Sequence, residues 1–247
     1  MFMRCLRADF YKMKRSSMAT GHIIIPIMVS AVFLAYYAVS GWNETDKITA
    51  FYETLGSAFP VLIGIFVAST MEQEQNAGAF QNLLTLRSKT AALFSKAVTL
   101  LLLSLFALLF TAVLFGCGFN MIHGQSIASM GVFIMAALVM WLSSIPLYLL
   151  FEIFAFAFGK AFAIGAGLIS GLISALFLTD IGMYVWKIVP FSWTARMTEE
   201  FLVYELADGG VLSEIKSQAL IYLVVVSVCF AGYFVFSANY EGCKISE

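Results

Sequence analysis

The chain has 247 residues, of which 61% are hydrophobic and 12% are charged, and its formal net charge at pH 7 is −1. Soluble domains carry about 25% charged residues. A soluble core of this size could not bury so much apolar surface, so we expect a polytopic membrane protein. No basic stripe with interleaved aromatic residues is present, which excludes nucleic acid as an expected partner. The four cysteines lack C-x-x-C spacing, so we predict neither a metal site nor a disulfide framework.

Residues 1–20 form a short basic segment before the first apolar run. Phe2, Leu6 and Phe10 recur at every fourth position, and the basic residues fall largely off that stripe. The pattern favours an interfacial helix on the cytosolic face of the membrane. Two alternatives remain open. A basic tail can orient a chain without forming a helix, and residues 38–40 have the small-x-small form of a signal-peptide cleavage site.

Six apolar runs follow, each long enough, or nearly so, to cross the hydrocarbon core as an α-helix. We therefore predict an all-α polytopic protein whose single transmembrane domain has six membrane-spanning helices. The fourth run is long, and we expect a tilt or a bend at Pro146. The runs cover residues 22–40, 55–71, 97–118, 127–155, 161–178 and 220–237.

The basic residues orient these spans. With both termini in the cytosol, ten of the fourteen lysines and arginines lie on the cytosolic side, and the acidic residues lean toward the outside. This asymmetry favours the N-in, C-in orientation. The ten are Arg4, Arg7, Lys12, Lys14, Arg15, Arg87, Lys89, Lys96, Lys160 and Lys244.

The segment 72–96 is the longest hydrophilic stretch that this orientation places in the cytosol. It is acidic at its start and basic at its end. We expect the second helix to break near Gly78 and a short helix to follow around residues 79–86, with one apolar face. Such a face is a candidate docking surface for a soluble partner. The residues of the face are Phe80, Leu83 and Leu84.

The fifth span carries a small residue at every fourth position. Small side chains let helix backbones approach closely in lipid, so we predict that this face packs against another helix. Such patterns also arise by chance in membrane helices. The four residues are Ala163, Gly167, Gly171 and Ala175.

The segment 179–219 lies outside in this orientation and is too long for a simple turn. We expect an interfacial bend at Pro190 with Trp193 at the level of the lipid headgroups, followed by a short helix or re-entrant element over 194–206. Its acidic residues could attract a cationic peptide, or they could simply form a solvated outer face. They include Glu199 and Glu200.

The sequence contains no H-E-x-x-H, G-x-S-x-G or Walker-type phosphate-binding motif. We therefore expect no catalytic residues and no ATP hydrolysis on this chain. Glu152 is the one acid deep in an apolar stretch, where carboxylates are costly and often functional. It could relay a proton or a cation. Because Lys160 is close in sequence, we favour a structural carboxylate near the cytosolic boundary that reaches a basic partner.

The 71–96 segment resembles the signature of ABC-2 type exporter permeases. These proteins have an acidic cluster, a glycine, a leucine pair, an arginine and a lysine in this order. Many members have a proline before the arginine, where this chain has Thr85 and Leu86. Residues 8–16 resemble the basic start of the same permeases. The residues that match the signature are Glu72, Glu74, Gly78, Leu83, Leu84, Arg87 and Lys96.

The second half of the chain narrows the resemblance. Residues 145–171, together with Trp186 and the PFSWTARM stretch at 190–197, are similar to the permeases of lantibiotic-immunity and bacitracin-type peptide-resistance transporters. In that family, the segment that corresponds to 72–96 holds a coupling helix, which docks on a separate ATP-binding subunit.

The resemblance implies a multi-pass protein of the bacterial plasma membrane that expels antimicrobial peptides. Two permease chains, identical or homologous, would work with two copies of an ATP-binding subunit. That subunit would hold ATP and magnesium, whereas this chain would bind no cofactor. Membrane lipid and the peptide are the other expected partners. The alternatives are another cargo (a lipid, an ion or a small drug) and a scaffold or sensor that signals without transporting. A membrane enzyme is a weaker third alternative.

Overall fold

The computed structural model of the protein describes residues 1–14, 16–124, 128–206 and 212–242. All regular structure within these residues is helical, which confirms the predicted all-α class. Two short 3₁₀ helices, Asp180–Gly182 and Pro190–Ser192, precede the eighth α-helix. The α-helices in the described residues are α1 (Phe2–Lys14), α2 (Ser17–Val39), α3 (Glu44–Asn76), α4 (Gln81–Leu84), α5 (Lys89–His123), α6 (Met130–Phe158), α7 (Lys160–Leu176), α8 (Trp193–Leu206) and α9 (Leu212–Ala238).

Five of the described helices are long and apolar enough to cross a membrane, namely α2, α3, α5, α6 and the Gln218–Ala238 part of α9. The predicted fifth span, 161–178, corresponds to α7, which is apolar but has only 17 residues. At about 1.5 Å per residue, α7 is roughly 26 Å long, slightly less than the hydrocarbon core of about 30 Å.

Three helices begin well before the predicted spans. α3 begins at Glu44 rather than at residue 55, α5 begins at Lys89 rather than at residue 97, and α9 begins at Leu212 rather than at residue 220. Hydropathy marks only the part of a helix that is apolar, whereas the helix itself continues as long as its ends are stabilised. The acidic side chains in the first turn of α3 interact favourably with the positive end of the helix dipole.

The helices α3 and α6 contain a proline and are nevertheless uninterrupted. Because proline has no N–H, the carbonyl group four residues earlier loses its helical donor. Another helix replaces that donor in both cases. Thr194 Oγ1 of α8 donates to the carbonyl oxygen of Gly56 at 2.7 Å, and the Tyr222 hydroxyl of α9 donates to that of Leu142 at 2.7 Å. These bonds tie α8 to α3 and α9 to α6. The two prolines are Pro60 and Pro146.

Small residues bring the backbones of α3 and α7 together. A Cβ atom placed on Gly167 would lie 2.9 Å from the carbonyl oxygen of Pro60, and one placed on Gly64 would lie 2.7 Å from that of Ala163. Gly171 also faces α3. No larger residue fits at these distances without a shift of backbone, which is typical of helix contacts in lipid.

Ala175, the last residue of the predicted small-residue face, is exposed rather than packed. The prediction was wrong at this position because a four-residue spacing drifts by about 40° per step around a helix of 3.6 residues per turn. Three steps beyond Ala163, the position has rotated off the contact with α3. Ser170 and Ser174 are buried in its place.

The membrane-length helices differ strongly in how much of their surface the rest of the chain covers. In the most apolar 18-residue window, 61% of residues are buried in α3, compared with 22% in α2 and 11% in α9. Thus α3 is the central helix, whereas α2 and α9 present apolar side chains to their surroundings.

Candidate functional site

A left-handed turn follows α3 and breaks the helix where the sequence predicts it. The φ angles are 131° at Gly78, 49° at Ala79 and 65° at Phe80. Glycine adopts such angles readily, whereas alanine and phenylalanine do so only when surrounding contacts hold them. The turn leads into α4, which covers only Gln81–Leu84 of the predicted helix over 79–86.

The apolar face that was predicted for docking is largely buried within the chain. Phe80 and Leu83 are only 3% and 2% exposed. The Phe80 ring packs edge-on against Phe156 of α6 and against Tyr240, with ring centroids 6.1 Å and 6.4 Å apart. The prediction that Phe80 and Leu83 are free for a partner is therefore wrong. A single helical turn buries its apolar side against the nearest apolar surface, which here belongs to the same chain. Leu84 is half-buried.

The opposite side of the turn faces outward and is polar apart from Leu86, which is 38% exposed. A groove separates this side from α1, and Arg4 and Lys12 line the groove on the α1 side. We refer to the outward-facing residues as the exposed turn; they are Gln81, Asn82, Thr85, Leu86 and Arg87.

Behind the exposed turn, α1, α3 and α5 meet at a group of charges in which Asp9, Glu74 and Lys96 are buried and Lys12 is 44% exposed. Lys96 Nζ donates to Glu74 Oε1 at 2.7 Å and to Asp9 Oδ1 at 2.9 Å. Lys12 Nζ donates to Glu74 Oε1 at 2.6 Å, and the Ser95 hydroxyl donates to the other Asp9 oxygen. The two buried carboxylates are thus neutralised by the buried Lys96 and by Lys12 at the edge of the group, as buried charges require. We refer to Asp9, Lys12, Glu74, Ser95 and Lys96 as the ionic cluster.

The prediction that Glu74 and Lys96 contact a partner directly therefore conflicts with their burial. They are 4% and 6% exposed, and they join the two helices that flank the exposed turn. The sequence reasoning missed Asp9, although it is the only acid among residues 1–20, and a lone acid in a basic segment is a usable signal. Ser95 gave no such signal.

Further contacts bring the connections between helices to the same end of the molecule. Lys160 Nζ at the start of α7 lies 2.5 Å from Glu72 Oε1 at the end of α3, and both side chains are about half exposed. Lys89 Nζ at the start of α5 donates to the carbonyl oxygen of Tyr240 at 2.8 Å. We call this the basic end of the molecule. Of the residues used to orient the chain, Arg15 and Lys244 lie outside the described residues.

Glu152 lies deeper in the helix bundle, close to the ionic cluster. It is 1% exposed, and neither carboxylate oxygen has a hydrogen-bond partner among the described residues. The predicted direct pairing with a basic residue is not found among the described residues, and Lys160, which is close in sequence, pairs with Glu72 instead. The groups that act on Glu152 electrostatically are Lys96, Asp9 and the Tyr233 hydroxyl of α9.

Trp193 is fully buried, which corrects the prediction that it lies among lipid headgroups. Its indole Nε1 donates to the carbonyl oxygen of Trp186 at 3.1 Å, so the polar edge of the ring is satisfied inside the chain. Pro190 is half-buried and begins the 3₁₀ helix before α8. The region therefore folds back against α3 and α6, and α8 contacts both helices.

The two predicted outer acids have different environments. Glu199 is partly buried and its Oε2 lies 2.9 Å from Arg196 Nη1. Burial raises the pKa of Glu199, and the neighbouring Arg196 guanidinium opposes that change only in part. Glu200 is exposed. Residues 207–211 of the predicted outer segment, and the side chains of 212–217, lie outside the described residues.

These features define the class: a helical membrane protein with a polar turn between two long helices and buried charges that lock those helices together. A family model described as "ABC-2 family transporter protein" matches residues 5–174, which is more than half of the chain. The chain therefore belongs to the ABC-2 family of transporter proteins. The match includes the exposed turn and the ionic cluster, and it ends before α8 and α9. No curated protein matches the chain.

Proposed function

We propose that the chain is the permease subunit of an ATP-driven exporter that expels lantibiotic-like antimicrobial peptides from a bacterial plasma membrane. Membership of the ABC-2 family supports the transport role and a separate ATP-binding partner. The similarity of residues 145–171 and 190–197 to peptide-resistance permeases supports the cargo. The excess of basic residues at one end of the molecule supports an orientation with both termini in the cytosol. An even number of spans fits this orientation, and the six proposed spans are α2, α3, α5, α6, α7 and α9.

The exposed turn is the proposed contact for the ATP-binding subunit. Leu86 supplies an exposed apolar anchor, and Arg87 beside it supplies a charge that can set the orientation of the partner. Arg4 and Lys12 of α1 border the same groove and extend the basic surface. This surface replaces the face of Phe80 and Leu83, which the chain itself covers.

The observation that carries the proposal is the buried Lys96–Glu74 ion pair, because it joins the two helices on either side of the exposed turn. A force applied to the turn acts on α3 and α5 together rather than bending the turn alone. α3 in turn contacts α7 through backbone at Gly64 and Gly167. Closure of the ATP-binding subunits would therefore move a rigid unit and switch the permease between two arrangements.

The proposed complex contains two permease chains, identical or homologous, and two ATP-binding subunits. ATP and magnesium are held by the ATP-binding subunits, where hydrolysis takes place. The apolar surfaces of α2 and α9, which the chain leaves largely uncovered, are available to lipid or to the second permease chain.

A co-purification experiment tests the docking contact. We expect the double variant Leu86→Asp, Arg87→Glu to lose the ATP-binding subunit from an affinity-purified complex, while the permease still inserts into the membrane. The control is Asn43→Glu, an exposed substitution in the connection before α3 at the opposite end of the molecule. Retention of the ATP-binding subunit by the double variant would place the docking surface elsewhere.

Cysteine labelling in intact cells tests the orientation independently. In a background without native cysteines, we expect an impermeant maleimide to label Asn43→Cys and not Thr85→Cys, since both positions are exposed and only the first lies outside in the proposed orientation. Labelling of Thr85→Cys in sealed cells would contradict the orientation.

A further inference from the structure

A pocket of about 290 Å³ lies between α6, α8 and α9. Its volume is just below the range of about 300–1,000 Å³ that is usual for small-molecule sites. Its walls are mainly apolar and aromatic, which is usual for such sites. The side chains used below are those of Leu142, Trp186, Phe201, Tyr204, Gln218 and Tyr222.

Gln218 is the unusual residue of this pocket. It is 5% exposed, and neither its amide oxygen nor its amide nitrogen has a hydrogen-bond partner among the described residues. Nearby hydroxyl groups are satisfied, because Tyr222 donates to the carbonyl oxygen of Leu142 at 2.7 Å and Ser143 donates to that of Met140 at 2.8 Å. A buried amide without partners is destabilising. Among the residues that the structure describes, the pocket therefore offers no group that hydrogen-bonds to Gln218.

The position of the pocket indicates where that group comes from. Gln218 directly precedes the apolar run of α9, and the charged residues Glu214 and Lys216 come just before it in the sequence, so Gln218 lies where hydrocarbon gives way to the polar part of the bilayer. Exposed apolar side chains are found at the pocket and next to it: Leu142 is 46% exposed, Tyr204 is 38% exposed and Leu220 is 67% exposed. Tryptophan and tyrosine are enriched at this depth of a membrane.

We propose that this pocket binds one phospholipid of the surrounding bilayer. Part of an acyl chain lies against Phe201, Tyr222 and the Trp186 ring, and an ester carbonyl accepts a hydrogen bond from the Gln218 amide nitrogen. The ester group lies at the boundary where Gln218 is placed, and lipid is present there at high local concentration. The site does not depend on the proposed transport function, and most of its residues lie beyond residue 174, where the family match ends.

The bound lipid has a structural consequence for α9. Only 11% of the apolar window of α9 is buried by the chain, so few protein contacts fix its position. A lipid between α6, α8 and α9 adds apolar contact to the Tyr222–Leu142 hydrogen bond and to the contact between the Tyr222 and Trp193 rings. The lipid thus completes the packing of α9 against the bundle.

Photolabelling of the purified full chain tests the proposal. The probe is phosphatidylcholine with a diazirine on one acyl chain, mixed into detergent micelles, and labelled peptides are identified by mass spectrometry. We expect the label on the peptides that contain Phe201 and Tyr222. In Gln218→Leu, which keeps the side-chain size but removes the donor, the labelling of these peptides should fall roughly five- to tenfold, the loss expected for one hydrogen bond. In Ser227→Leu, on the exposed side of α9, it should not change.

A second variant keeps the test decisive if Gln218→Leu alters folding. Ala219 lines the pocket but is itself exposed, so Ala219→Phe fills the space at little risk to the fold and should abolish the labelling. Equal labelling of the parent chain and both pocket variants would overturn the proposal. So would a crosslink from this pocket to a second copy of the chain, or displacement of the lipid probe by a lantibiotic peptide, because each identifies a different occupant.

Discussion

Two parts of α3 are held in opposite ways. Near Asn76, the ionic cluster fixes the helix through charge: Lys96 reaches across from α5 to Glu74 and Asp9. Closer to the middle of the helix, α8 contacts its backbone at Gly56 and α7 contacts its backbone at Gly64. The first arrangement fails when an atom is removed, because a buried charge then loses its partner. The second fails when an atom is added. The comparison shows that different kinds of interaction can fix different parts of one helix.

The largest effect is expected at the ionic cluster. Lys96→Ala leaves Asp9 and Glu74 buried with one donor each, and we expect it to lower the free energy of unfolding by about 3 kcal/mol. Denaturant unfolding of the purified protein in detergent measures this. The matched control is Lys160→Ala, which removes the exposed Lys160–Glu72 pair and should lower the free energy by less than about 1 kcal/mol. Equal effects would show that the cluster is not held as a buried network.

The backbone contact should respond to a single added methyl group. Gly167→Ala places a Cβ atom 2.9 Å from the carbonyl oxygen of Pro60, and we expect a loss of about 2 kcal/mol in the free energy of unfolding. Gly165→Ala on the same helix has open space around its Cβ position, and it should be neutral or slightly stabilising. If the two variants unfold alike, α7 does not pack on α3 through this face.

A smaller effect is expected where α8 satisfies the carbonyl freed by Pro60. Thr194→Val removes the donor to Gly56, and we expect a loss of about 1 kcal/mol in the free energy of unfolding. Thr198 is equally buried, but its hydroxyl donates to the carbonyl of Thr194 within its own helix. Thr198→Val should therefore be milder, and the reverse order would contradict the role given to Thr194.

The smallest effect concerns Glu152. Since no described basic residue pairs with it directly, Glu152→Gln keeps its shape and its hydrogen-bonding capacity and removes only the titratable proton. We expect ATP-dependent export to fall by less than about threefold, or about 0.7 kcal/mol, without a new dependence on pH. Complete loss of export, with normal expression and normal docking of the ATP-binding subunit, would instead assign a proton-carrying role to Glu152.

The apolar parts of the spans and the small-residue face could be predicted because lipid imposes them locally. The spacing of the apolar residues and their hydropathy reveal which side chains avoid water, and close helix contacts require small side chains. The partner of that face, α3, could not be predicted, because the pattern at Gly167 contains no information about Gly64.

The errors at the basic end have a common origin. Phe80 and Leu83 form an apolar face by any local criterion, and only the tertiary fold decides that Phe156 and Tyr240 cover it. Lys96 finds Asp9 across 87 positions of sequence. Charge alone could not distinguish a lysine that meets a partner protein from one that closes a buried cluster. The prediction for Trp193 failed for the same reason. A position among lipid headgroups was expected from the local sequence, whereas other parts of the chain enclose the ring.

The most direct test of the account is ATP hydrolysis by the purified permease and its ATP-binding subunit in proteoliposomes. We predict that a lantibiotic peptide stimulates hydrolysis and that the Leu86→Asp, Arg87→Glu variant loses the stimulation. Lys160→Ala, which breaks only an exposed ion pair, should retain it. A complex that is insensitive to the peptide but stimulated by a lipid or a small drug would contradict the proposed cargo. Full peptide stimulation in the double variant would contradict the proposed route through the exposed turn.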